Sequence, residues 1–196
     1  NAVDSFFAGS HPNDMVFGSD ESYIYVTNGD SNAVSIIDVS SSKIISQLSV
    51  GLMPHGLCIS PDGEYVYIAN MDSNTISIID TWSNSVAMYI KTGRCPIDAV
   101  PSKDGRYLYA ICSYLGSDKN GEICVISLSS FRVIKSIETG RIAVQAAISG
   151  HGSRLYVTNM GSNNVQVIDL NKFEIIKTIP TGNMTRGIAV LDGDLI

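Results

Sequence analysis

Three arginines, two aspartates and one histidine stand in register along this sequence. Arg94 and Arg141 directly follow a glycine, His55 and Arg186 come four residues after one, and Asp14 and Asp98 come five after one. The other members of these columns are chemically mixed: Asn13, Ile97 and Val144 share a column with His55 and Arg186. Guanidinium forks match carboxylates and phosphates. If a fold gathers the columns, the expected chemistry is recognition of a small anion or of a charged partner. The bland alternative is that Asp14 and Asp98 neutralise Arg94, Arg141 or Arg186. A metal centre on His55, Asp14 and Asp98 would lack the third nitrogen or sulfur that a borderline ion prefers, so no metal is assigned. No HExxH, nucleophile elbow or CxxCH occurs, so no catalytic residue and no cofactor are assigned. His151 lies in a GHG turn, a poor place for a base.

The glycines that set this register are Gly9, Gly51, Gly93, Gly140 and Gly182, spaced by 42, 42, 47 and 42 residues. Between them four segments align: SYIYVTNGDSNAVSIIDV from Ser22, EYVYIANMDSNTISIIDT from Glu64, RYLYAICSYLGSDKNGEICVISL from Arg106 and SRLYVTNMGSNNVQVIDL from Ser153. Each unit alternates aromatic or β-branched residues with polar ones and is punctuated by Gly, Asp, Asn, Ser and Pro. In the second unit the expected strands are 57–60, 65–70, 76–80 and 86–92. No stretch has a 3.6-residue apolar period. Four short strands per repeat of about forty residues predict an all-β propeller of four-stranded antiparallel blades. Tyr25, Tyr67, Tyr109 and Tyr156 should then be equivalent. In a propeller the first strand of each blade lines the central channel, which would bring the six residues to one channel mouth.

Tyr25-Val26-Thr27-Asn28 and Tyr156-Val157-Thr158-Asn159, with the variant Tyr67-Ile68-Ala69-Asn70, resemble the YVTN family of propeller repeats. The resemblance covers nearly the whole chain. It implies a propeller, usually of seven blades, in an extracytoplasmic (periplasmic or cell-surface) setting. It is specific for fold and weak for function, because a propeller is a scaffold reused for many tasks. YVTN-like propellers are also similar to those of sugar-lactone hydrolases and of redox enzymes with quinone or heme cofactors.

The repeated Asn28, Asn70 and Asn159, and Asp38, Asp80 and Asp169, read as turn-holding residues because they recur in every regular unit. The third unit departs: Cys112 stands for the Asn and Ser127 for the Asp. Cys112 and Cys124 fall on neighbouring strands within reach of a disulfide, with two free thiols as the favoured state. Cys58 and Cys95 belong to different blades, and no bridge is expected there. Trp82, the one tryptophan, is expected to pack over a blade edge.

The chain has 196 residues, 44% of them hydrophobic, and 13 basic against 19 acidic residues give a net charge of −6. An ordered globular domain follows from this composition. The acidic balance argues against nucleic acid as a partner. No apolar run approaches the ~20 residues that span a bilayer, so no membrane insertion is expected. The predicted organisation is a single, partial propeller domain. It comprises a last strand at 1–9, blades at 10–51, 52–93, 94–140 (with the loop insertion) and 141–182, and the start of a further blade at 183–196. Such a segment should need the remaining blades of the same protein or self-associate. The reading reached is a non-catalytic binding or scaffold propeller for a protein, glycan or small anionic ligand. The alternative is a lactonase-like hydrolase or a propeller subunit of a quinone or heme redox enzyme.

Overall fold

The computed structural model describes residues 7–190. Sixteen strands form four four-stranded antiparallel sheets in simple meander order. The first blade holds β1 (Pro12–Phe17), β2 (Tyr23–Asn28), β3 (Ala33–Asp38) and β4 (Lys43–Ser49). The second holds β5 (Pro54–Ile59), β6 (Tyr65–Asn70), β7 (Thr75–Asp80) and β8 (Ser85–Lys91). The third holds β9 (Pro96–Pro101), β10 (Tyr107–Cys112), β11 (Glu122–Ser127) and β12 (Arg132–Glu138). The fourth holds β13 (Ala143–Ile148), β14 (Arg154–Asn159), β15 (Asn164–Asp169) and β16 (Glu174–Pro180). No helix occurs among the described residues. The fold is the all-β propeller that the repeat predicts. The expected last strand at 1–9 and the start of a further blade at 183–196 lie partly outside the described residues, and their described parts, 7–9 and 183–190, form no strand.

The innermost strands lie side by side, β1 against β5, β5 against β9 and β9 against β13. Burial falls outward: the third strands of the first three blades are almost wholly buried and β15 partly so, whereas β4, β8 and β12 are mostly exposed with single covered residues and β16 is exposed throughout. The core is correspondingly divided into the three seams between consecutive blades. Tyr25, Val34 and Ile36 of the first blade meet Leu57, Val66, Ile68 and Ile79 of the second. The second-to-third and third-to-fourth seams repeat this with Tyr67 and Tyr109. The four tyrosines are equivalent in register, pairing with Ile36, Ile78, Val125 and Val167. Tyr25 reaches across its seam, its hydroxyl donating to Asn84 Oδ1 at 2.9 Å.

Four of the closing glycines, Gly9, Gly51, Gly93 and Gly140, stand in crowded places, whereas Gly182 has open space beside it. A Cβ on Gly51 would come 2.6 Å from Asn70 Cγ, and one on Gly140 would come 2.8 Å from Asn159 Cβ. Each asparagine is thus wedged under the loop that leads into its own blade. Its amide mostly serves a neighbouring side chain, not the turn that follows it: Asn28 Nδ2 donates to Ser35 Oγ and Asn70 Nδ2 to Ser77 Oγ. The aspartates do hold turns. Asp38, Asp80 and Asp169 accept the main-chain N–H of Ser41, Ser83 and Lys172 through Oδ1. The Ser40 and Ser41 hydroxyls, then the Ser41 N–H, hold Asp38 below the usual carboxylate range, and the Ser83 N–H and hydroxyl do the same for Asp80. Trp82 corrects the sequence reading: it stands on the β7–β8 turn, 97% exposed, packed over no edge.

Candidate functional site

Two kinds of residue meet where the innermost strands begin. The first kind clips one blade to the next. Asp14 on β1 accepts the N–H of Leu57 on β5 through Oδ2 at 3.3 Å, and that of Met15 through Oδ1 at 2.9 Å. Asp98 on β9 does the same two seams further round, taking Ala146 N–H on β13 at 3.2 Å and Ala99 N–H at 2.8 Å. Gln145 continues the series with Ile188 N–H at 3.3 Å. Burial pushes the Asp98 carboxyl up to about 7 against the two backbone amides that favour its charge, and the charge of Asp14 adds to the rise. The thiol of Cys58, close to both carboxyls, is also pushed up, first by burial and then by Asp98 and Asp14.

The second blade has Gly56 in this aspartate column, because a Cβ there would lie 2.7 Å from Ile97 O and 3.0 Å from Asp98 Cα. His55 makes the clip instead: its Nδ1 lies 3.0 Å from Ile97 O. A carbonyl only accepts, so Nδ1 carries the proton, and in the neutral ring Nε2 is a bare lone pair. The ring is half-buried. Its backbone is held as well, Thr27 Oγ1 donating to His55 O at 2.6 Å, a bond that Thr158 Oγ1 repeats to Arg186 O at 2.8 Å.

The arginines are not paired with this inner set among the described residues. Arg141 Nη2 pairs with Asp118 at 3.4 Å, in the long β10–β11 loop. Arg94 has no ion-pair partner among the described residues, and its carbonyl accepts Tyr114 N–H. Arg186 is exposed, its Nε 3.3 Å from Met160 Sδ, again with no carboxylate partner among the described residues. The self-paired arrangement, in which Asp14 and Asp98 neutralise the arginines, is therefore absent from the described residues. His55, Asp14 and Asp98 are brought together on adjacent innermost strands. Arg94 and Arg141 sit in the loops leading into β9 and β13, beside a 430 Å³ cleft lined by Tyr114, Asp118, Lys119, Asn120, Glu122 and Glu138.

The third blade also holds a group that sequence reasoning took only as a candidate disulfide. Cys112 and Cys124 are buried free thiols with sulfurs 3.7 Å apart, and Cys58 and Cys95 are free as well. The carboxylate of Glu122 joins the two buried sulfurs. The signal in the sequence was that Cys112 and Cys124 replace an Asn–Ser pair, with an acid at the strand start where other blades have Ala33, Thr75 and Asn164.

Among solved structures, hydrazine synthase of Kuenenia stuttgartiensis superposes with a TM-score of 0.79 at 24% identity, over 91% of this chain and 51% of that one. The dihydro-heme d1 dehydrogenase NirN, in complex with DHE, gives 0.74 at 19% identity over 91% and 39%. A functionally unknown protein from Desulfotomaculum acetoxidans gives 0.77 at 18% over 94% and 62%. At these identities the likeness concerns the propeller fold, and the chain spans between about two-fifths and three-fifths of the length of these relatives. No curated protein matches the sequence. The family described as Cytochrome D1 heme domain matches residues 72–190, more than half of the chain, including Arg94, Asp98, Arg141 and Arg186 but not His55. The chain belongs to the Cytochrome D1 heme domain family.

Proposed function

We propose that this chain is part of the propeller of a heme-binding redox protein, with the heme held at the channel mouth. The observation that carries the reading is the state of His55. Its Nδ1–H is committed to Ile97 O, which fixes the tautomer and leaves Nε2 without a hydrogen bond among the described residues. Metal-ligating histidines are oriented in this way, by a second hydrogen bond from the other ring nitrogen. His55 would hold the iron through Nε2, and Arg94 and Arg186, free of carboxylate partners among the described residues, would pair with the carboxylates of the heme. Bound there, the iron would supply one-electron chemistry. Asp14 and Asp98 keep the mouth rigid by holding the main chain of the next blade.

The repeats are YVTN-like units, and the blades at 10–51, 52–93, 94–140 and 141–182 belong to a ring completed by the remaining blades of the same protein or by a second copy. Exposed Ile175, Ile176 and Ile179 on β16 support such a completion. Family membership supports an extracytoplasmic setting for the protein. The unpaired Arg94 and Arg186 also favour a second reading, a cofactor-free scaffold for a small anion.

Titration of the protein with ferric heme separates the two. The heme reading expects a saturable, histidine-ligated absorption spectrum that disappears in His55→Ala and returns when free imidazole is added. A spectrum unchanged by His55→Ala overturns it. Heme binding that depends on Arg94 and Arg186 alone would favour the anion scaffold.

A further inference from the structure

Three side chains of the third blade occupy one face of the β10–β11 pair. Cys112 is opposite Glu122, and Cys124 is opposite Ala110 two residues along. Cross-strand partners and their i±2 neighbours project to the same side of a sheet. The other blades use these positions for a hydrogen bond, 2.9 Å from Asn28 to Ser35, 2.8 Å from Asn70 to Ser77 and 3.1 Å from Asn159 to Gln166. The third blade has two thiols there, 3.7 Å apart, and adds a carboxylate, with one ligand atom from each of the three residues within 4.8 Å of the others.

Two thiols alone would pack as small apolar groups. Glu122 does not fit that role. It is half-buried, and no lysine or arginine pairs with it among the described residues. A buried carboxylate wants a cation or several donors, and the donor it has is the Tyr114 hydroxyl, 3.0 Å from Oε1. Bonds of about 2.3 Å from a tetrahedral zinc ion put two sulfurs roughly 3.7–3.8 Å apart, the spacing seen here. The surrounding shell is also that of a metal site: Gly93 N–H donates to Cys124 Sγ at 3.2 Å, while Tyr114 orients the carboxylate. Gly93 leaves room for the Glu122 carboxylate, which a Cβ there would push aside. A way in exists as well. The 430 Å³ cleft opens on Glu122 and is lined also by Lys119, Glu138 and Asp118, the last paired with Arg141.

We propose that Cys112, Cys124 and Glu122 bind a thiophilic divalent cation of the zinc class, with the fourth position open to the cleft. Binding replaces both thiol protons, so one dication enters and two protons leave for the solvent. The ion ties β10 to the start of β11, where the long loop leaves the repeat without its usual short turn.

The test is titration of the reduced, chelator-treated protein with Co²⁺, read by thiolate-to-cobalt charge transfer and the d–d bands of tetrahedral cobalt. The expected result is one equivalent bound, displaced by Zn²⁺. The paired substitution Cys112→Asn with Cys124→Ser restores the hydrogen-bonded pair of the first two blades, so it should keep the fold by circular dichroism and lose the bands. Glu122→Gln should weaken binding at least about tenfold, and Cys58→Ser with Cys95→Ser should leave it unchanged. In the unmodified, folded protein, Zn²⁺ should slow the alkylation of two thiols, Cys112 and Cys124, that proceeds through transient opening. The proposal is overturned by an absence of charge transfer at excess Co²⁺, by bands that survive in the Asn–Ser variant, or by Zn²⁺ protection that falls on Cys58 and Cys95.

Discussion

Asp98 reaches from the innermost strand of the third blade to take the main-chain N–H of Ala146 in the fourth, at 3.2 Å. Asp14 does the same between the first and second blades, and Gln145 takes the N–H of Ile188. The acids at the channel mouth are therefore clips between blades, and Arg94 and Arg186 have no carboxylate partner among the described residues.

Asp98 should make stability depend on pH. Its carboxyl titrates near 7 when folded, against an ordinary value of 3.8. Between those values the folded protein holds a proton that the unfolded chain has lost, so stability falls as pH rises from about 4 to about 7 and levels off above. The loss is at most about 4 kcal/mol from this group. Urea unfolding across that range should show the slope in the wild type and a much flatter profile in Asp98→Asn, whose side chain stays neutral. An equal slope in both would assign the pH dependence to other groups.

Asn70→Ala should destabilise the protein by about 1–3 kcal/mol. The substitution removes the buried amide that donates to Ser77 and Thr75, leaving Ser77 without that donor. Equilibrium denaturation measures it; an effect below about 0.5 kcal/mol would mean that the asparagine column carries no structural weight.

Trp82→Ala should change stability by less than about 0.5 kcal/mol, because the indole touches solvent on nearly all sides. Tryptophan emission, which comes from this one residue, should be red-shifted and readily quenched by acrylamide. A blue-shifted, protected emission would place the ring against a blade edge.

Cysteine alkylation in the native, metal-free protein should begin at Cys95. It sits in the loop leading into β9 and is only partly covered, whereas Cys112 and Cys124 are buried. Cys58 should lag behind Cys95, since burial and the neighbouring Asp98 and Asp14 disfavour its thiolate. Peptide mass spectrometry gives the order, and labelling of Cys112 before Cys95 would contradict it.

The repeat made the fold legible in the sequence. A period in the low forties and alternating strands fixed the blades, and the observed β6 coincides with the expected 65–70. The channel columns were legible as positions but not as roles. Register brings Asp14 and Asp98 to the innermost strands, yet whether they face an arginine or a backbone amide depends on the neighbouring blade, which spacing along one chain does not reveal. His55 shows the same limit: its tautomer is set by Ile97 O, 42 residues away. The exposure of Trp82 was missed because an aromatic ring in a turn carries no periodic signal. Cys112 and Cys124 were read as neighbours on paired strands, but the part of Glu122 appears only when the β10–β11 register puts its carboxylate on their face.

The heme reading is tested most directly by a structure of the protein with ferric heme bound. The predicted result is iron on His55 Nε2, Nδ1 still bonded to Ile97 O, and the ring carboxylates beside Arg94 or Arg186. Heme seated away from the innermost strands, or at the mouth with His55 uncoordinated, would contradict it.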